Sequence, residues 1–160
     1  MDDLGPLHHY MGIELNQQTW ALLGKKERND RDNQRMIAFA KSSLFHWEHS
    51  PNFQPVNAQR GLWLISRVYS VLGEGEKALS HANECWTLTE ELGLKDFDLA
   101  YAFEAFSRAY AALGEPEKMN HYFIKAKQAG DEVANEDDKK YFMADLHAGP
   151  WFECIKPLDE

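Results

Sequence analysis

Two blocks of this chain are copies of one another. Residues 66–77 read SRVYSVLGEGEK and residues 107–118 read SRAYAALGEPEK, with eight of twelve positions identical at a shift of 41. No other feature limits the fold as much. Units repeated at such a distance cannot bury their apolar faces alone and must stack on their neighbours. Each block carries an apolar set at helical spacing, Leu62, Ile65, Tyr69 and Leu72 in one, Phe103, Phe106, Tyr110 and Leu113 in the other. Both sets follow i, i+3, i+7, i+10, the stripe of an amphipathic helix. Gly73 and Gly114 then end the helix, because glycine enters a left-handed cap without steric cost. Glu74 and Glu115 suit the start of a second helix, where backbone N–H groups are unpaired, and Pro116 fits a first turn. The second helices carry Ala78, Ala82, Cys85 and Trp86, then Met119, Phe123, Ala126 and Val133. Each unit therefore reads as helix, tight turn, helix.

These residues resemble the tetratricopeptide repeat, whose first helix has a large residue, then Leu-Gly, then Tyr, and whose second helix has Ala followed by an aromatic. The second unit offers Leu62, Ile65, Ser66, Tyr69, Ala78 and Ala82 at those places. The third offers Phe103, Phe106, Ser107, Tyr110, Met119 and Phe123. A degenerate first unit begins at Trp20-Ala-Leu-Leu-Gly24, offset by 42 from the second, with Met36, Ala40 and Ser43 on its second helix and Glu27 in place of the Tyr. The family unit is about 34 residues, so these units are longer by roughly two helical turns. Glu48, Glu90 and Asp131 stand where the family has a terminal proline. The resemblance covers residues 17 to about 135.

It implies an all-α fold, a right-handed stack of antiparallel helix pairs (a TPR-like α-solenoid) forming a single domain over residues 1–160, with units near 7–50, 55–94 and 96–136. About seven helices are expected and no sheet, with breaks near 24–31, 51–55, 73, 93–96 and 114. Pro6 opens the first helix and Asp96 is a candidate N-cap for the third unit. Tyr69 and Tyr110 should be equivalent buried residues. Residues 137–147, with Tyr141, Phe142 and Leu146, read as the short capping helix that a solenoid end requires. The tail beyond carries Trp151, Phe152 and Ile155, too apolar to stand in water as a cluster. It should close the stack or bury against a second copy, which makes a homodimer one expected partner arrangement.

Acidic residues outnumber basic ones 26 to 17, a formal charge of −9. That field repels phosphate backbones, so nucleic acid is a poor default partner. No stretch approaches the ~18 apolar residues of a membrane span, and Met1-Asp2-Asp3-Leu4-Gly5-Pro6 lacks the apolar run of a secretory signal. The expectation is a soluble, cytoplasmic protein with no membrane partner. Cys85 and Cys154 form neither a disulfide framework nor a zinc pattern, and Cys85 sits at an inward, small-residue position.

The search for chemistry gives little. His8 and His9 are adjacent and His46 and His49 are three apart, but no H-E-x-x-H or Glu-x-x-His set converges with them, so they read as surface histidines and no metal is expected. No nucleophile elbow or phosphate loop occurs, since Gly73-Glu74-Gly75 is matched by the turn Gly114-Glu115-Pro116. No cofactor and no catalytic residue are assigned. A helical enzyme or small-ligand receptor, with a pocket between the long helix pairs, stays open as an alternative.

What remains is a stripe on the first helices. Arg60, Trp63, Arg67 and Ser70 follow one helical line, Tyr101, Glu104, Arg108 and Ala111 the next, and Gln18, Ala21, Lys25 and Arg28 the first. In the resembled family these positions line the concave groove that takes extended peptides. Lys25, Arg67 and Arg108 share one repeat position, so a ladder of cations is expected across the groove, with Trp63 and Tyr101 between. Arginine forks beside aromatic rings suit a carboxylate. The chain thus reads as a protein- or peptide-binding module for an acidic or carboxylate-ended partner, contacted by Lys25, Arg28, Arg60, Trp63, Arg67, Tyr101 and Arg108. The competing reading pairs Glu104 with Arg108 across one helical turn and leaves only surface charge.

Overall fold

A computed structural model describes residues 3–154, and among them seven helices form and no strand. They are α1 (Gly5–Leu23), α2 (Asp30–Glu48), α3 (Pro55–Val71), α4 (Gly75–Glu91), α5 (Asp96–Ala112), α6 (Pro116–Asp131) and α7 (Glu136–His147). Short connections make successive helices antiparallel neighbours. Each of α1, α3 and α5 packs on the helix that follows it, and the pairs stack in chain order through α2 on α3 and α4 on α5. The molecule is an all-α, solenoid-like stack. No helix among the described residues is long and apolar enough to cross a membrane.

The repeat extends to individual hydrogen bonds. Ser66 Oγ donates to the Ala78 carbonyl at 2.8 Å, and Ser107 Oγ to the Met119 carbonyl at 2.9 Å. Each serine thereby ties a first helix to its own second helix. Gly73 and Gly114 take φ of 76° and 72°, as their turn position requires. The amides of Glu74 and Glu115 then close back onto the carbonyls of Tyr69 and Tyr110 at 2.9 and 3.0 Å. These are Schellman closures, which satisfy carbonyls the helix end leaves free.

The two tyrosines are not equally buried. Tyr69 is 4% exposed, while Tyr110 is half-buried. Lys77 and Lys118 cover the respective rings from equivalent positions, but only Tyr69 is also covered from the preceding pair, by Lys41 at 5.3 Å. The residue 42 positions after Lys41 is Asn83, which is too short to reach across.

The first unit departs from its expected register. Leu23 and Val71, the ends of α1 and α3, are 48 residues apart, whereas Val71 and Ala112 are 41 apart. The second helices keep the expected offset, since Met36, Ala78 and Met119 are all buried at spacings of 42 and 41. The additional residues lie between the end of α1 and Met36, partly in a longer connection and partly in an earlier start of α2. Gly24 ends α1 at the start of the expected break, with φ of −78°, so Lys25 and Arg28 fall outside the helix. Arg28 does the capping there, its Nη1 donating to the carbonyls of Leu22, Leu23 and Lys25. Asn29 caps α2 by accepting from the Asp32 amide at 2.8 Å. Asp96 is likewise no N-cap of the expected kind. It takes a positive φ of 58°, and its Oδ2 accepts from the Ala134 amide, tying α5 to the start of the terminal segment.

Burial is deepest on α5, which packs on α3, α4, α6 and α7 together. Tyr101, Glu104, Arg108 and Ala111, placed by the sequence on a solvent-facing groove, are all buried. The cause is α7 and the tail, which cover that face. Trp151 packs edge-on against Phe123 of α6 at 5.5 Å and lies over the Arg108 guanidinium at 4.3 Å. Phe152 remains 42% exposed. Ile155 lies outside the described residues.

Candidate functional site: an aromatic cleft

Helix α7 is the fourth odd-numbered helix, and it completes one face with α1, α3 and α5. Between them lies a cleft of about 190 Å³, walled by Trp20, Trp63, Phe97, Tyr101 and Tyr141. Its walls are set by ring packing. Trp20 stacks on Trp63 with centroids 5.8 Å apart and planes 26° apart. Trp63 meets Tyr101 edge-on at 4.9 Å, and Tyr101 meets Phe142 edge-on at 4.8 Å. Such offset and edge-on arrangements are the favoured ones for aromatic quadrupoles.

Polar bonds fix the same rings. Trp63 Nε1 donates to Glu104 Oε1 at 3.1 Å, and the Tyr101 hydroxyl donates to Asp145 Oδ2 at 2.5 Å. Burial, then the neighbouring Asp145 carboxylate, pushes the Tyr101 hydroxyl pKa upward, so it stays a donor. Glu104 is fully buried, and desolvation pushes its carboxyl up to about 7, against the opposing pull of Arg67 and of the Trp63 hydrogen bond. Its Oε2 lies 3.3 Å from Arg108 Nε.

The candidate cations separate into three environments. Arg60, at the mouth of the cleft, holds Asp98 through both Nε (2.9 Å) and Nη2 (3.2 Å). Arg108 is 2% exposed, and its remaining nitrogens donate to the carbonyls of Asp145 (2.5 Å) and Ala148 (3.1 Å) at the end of α7. It therefore anchors the C-terminal cap and cannot touch a partner in this arrangement. Lys25 and Arg28 lie off the helix, in the α1–α2 connection, and Lys25 Nζ is 2.6 Å from Asp32. That contact holds the Asp32 carboxyl below its usual pKa. The expected ladder of Lys25, Arg67 and Arg108 is thus absent, because the register of α1 removes its first rung and the tail covers its last. Trp63, Tyr101 and Arg60 do converge, on the aromatic cleft. Arg67 instead joins Lys25 and Arg28 around a separate depression.

Sequence reasoning missed Asn16, Gln59, Tyr141 and Asp145, all at the cleft. Tyr141 and Asp145 are one turn apart on α7. An odd helix count was their signal, since a seventh helix must stand in first-helix position. Of the histidines expected at the surface, His49 is exposed, but His8, His9 and His46 are half-buried. The Nδ1 atoms of His8 and His46 are 2.8 Å apart, with the His49 ring tilted beside His8 at 5.2 Å. They pin α1 to α2, and no group of three metal-binding side chains converges among the described residues. Desolvation, with His8 and His49 adding to it, lowers the His46 pKa.

No protein-family model, curated protein or solved structure matches the chain.

Proposed function

We propose that the chain is a tetratricopeptide-like interaction module that takes an extended segment of a partner protein along its concave face, with one large apolar side chain seated in the aromatic cleft. The observation that carries this reading is the cleft itself: aromatic rings from four helices enclose a space of about 190 Å³. That is below the ~300–1,000 Å³ usual for small-molecule sites and on the scale of an anchor side chain. Asn16 and the Arg60–Asp98 pair at its mouth offer hydrogen bonds beside the apolar interior. The enzyme alternative loses its best candidate acid, because Glu104 is sealed from solvent behind Trp63 and Arg108. Among the cleft's own cations, Arg60 is already matched by Asp98, so an acidic partner draws no support from this part of the face.

Random-peptide display tests the reading. Selected peptides should share an aromatic or long aliphatic residue, and Asn16→Arg, which places a long side chain at the mouth, should weaken them at least tenfold without loss of helicity. Selection of no common residue, or binding untouched by Asn16→Arg, would count against the cleft as the docking site.

A further inference from the structure

Trp20 lines the aromatic cleft on one side and a second depression on the other, about 340 Å³ in size and rimmed by Lys25, Lys26, Arg28 and Arg67. Gly149 and Pro150 of the tail form its far wall. Four cations share this hollow in a molecule whose formal charge is −9. Two of their guanidinium groups are incompletely partnered: Arg28 Nε and Arg67 Nη1 are buried atoms with no hydrogen-bond partner among the described residues. Unlike Lys25, Arg60 and Arg108, Arg67 forms no ion pair among those residues. A buried guanidinium N–H left unpaired is costly, and a charged acceptor is the partner that relieves the cost best. Arg28 is held in place by three carbonyls at the end of α1, so its free Nε–H is pre-positioned rather than mobile.

We infer that this depression is an oxyanion site, in which the guanidinium groups of Arg67 and Arg28 hold a carboxylate or phosphate group while Lys25 and Lys26 supply field at the rim. Asp32 neutralises part of the Lys25 charge and the buried Glu104 carboxyl faces Arg67, which leaves Lys26 and Arg28 as the uncompensated cations. Chloride lacks the separated oxygens that two guanidinium forks can share, so an oxyanion is the better fit. As an account of how a partner is held, the site rests on the reading of the concave face as the docking face: an anionic group would sit one tryptophan away from the anchored side chain. As an anion site it stands on its own residues.

Amide and arginine Nε resonances of the full chain, titrated with sodium phosphate or sodium acetate against sodium chloride at equal ionic strength, test it. Saturable shifts should appear at Lys26, Arg28 and Arg67. Arg67→Gln, and separately the exposed Lys26→Gln, should weaken the apparent affinity, the former at least fivefold. Tyr141→Ala, across the cleft, should leave it unchanged even if it abolishes peptide binding, so the two readings fail separately. Saturation by acetate assigns a carboxylate, and saturation by phosphate alone assigns a phosphoryl group. Shifts that match those in chloride, or that survive Arg67→Gln in a folded protein, overturn the proposal.

Discussion

At the scale of single residues, burial has turned a surface-like pattern into a core. Glu104 and Arg108 stand one helical turn apart, a spacing that on an open helix gives a weak solvated pair. Here both are enclosed, and the pair is the polar centre of the C-terminal half. Because burial raises the Glu104 carboxyl to about 7, the folded state binds its proton more tightly than the unfolded chain does. The associated stability is complete below the unfolded carboxyl pKa and is lost as pH rises towards 7. Glu104→Gln should remove this fall, on the order of 1–3 kcal/mol in denaturant unfolding between pH 4.5 and 7.5. An unchanged pH dependence in the variant would show that Arg108 keeps the carboxylate ionised throughout. Tyr69 and Tyr110 teach the same lesson from the other direction. Their sequence environments match on their own unit, yet only Tyr69 has a lysine from the preceding pair over its ring, and only Tyr69 is buried.

At the scale of elements, the repeat made the second and third pairs readable and left the ends obscure. Glycine turns, the serine tethers and the small residues of α4 and α6 follow from local chemistry that a copied segment displays twice. The first pair has no copy to calibrate it, and an alignment through Trp20–Gly24 placed α1 out of register, taking Lys25 and Arg28 onto a helix they do not belong to. The tail is legible as apolar, but its target is not, since Arg108 is distant in sequence and polar. Trp151 is the clasp: it covers the Arg108 guanidinium, which in turn holds the last carbonyls of α7. Desolvated contacts of this kind contribute about 2 kcal/mol or more, besides the ring's own burial. Trp151→Ala should cost about 2–4 kcal/mol, and hydrogen exchange should show α7 amides losing protection ahead of those in α3 and α5. Equal protection along the chain would mean the tail holds nothing.

At the scale of the molecule, the two ends of the stack are unlike. The C-terminal end is closed by α7 and Trp151, whereas α1 leaves Leu4, Leu7 and Tyr10 more than half exposed. The main packing of α1 is on α2, and α2 in turn lies on α3. Stacks of this kind open from their least-coupled unit. Native-state hydrogen exchange should therefore find α1 and α2 opening at lower free energy than α3 to α6, and a uniform global limit would argue for a single cooperative block. On the side of the cleft, the first pair meets the rest through Leu22, packed with Leu64 and Val68, and through two indole rings, Trp20 and Trp63, 26° from parallel at 5.8 Å. Chromophores that close share their excited states, so the near-ultraviolet circular dichroism of the native chain should contain a coupled signal originating in the wall of the cleft. Any guest that slides along that wall or spreads the two helices changes the coupling, and the protein thereby reports on its own occupancy by light alone, without a label.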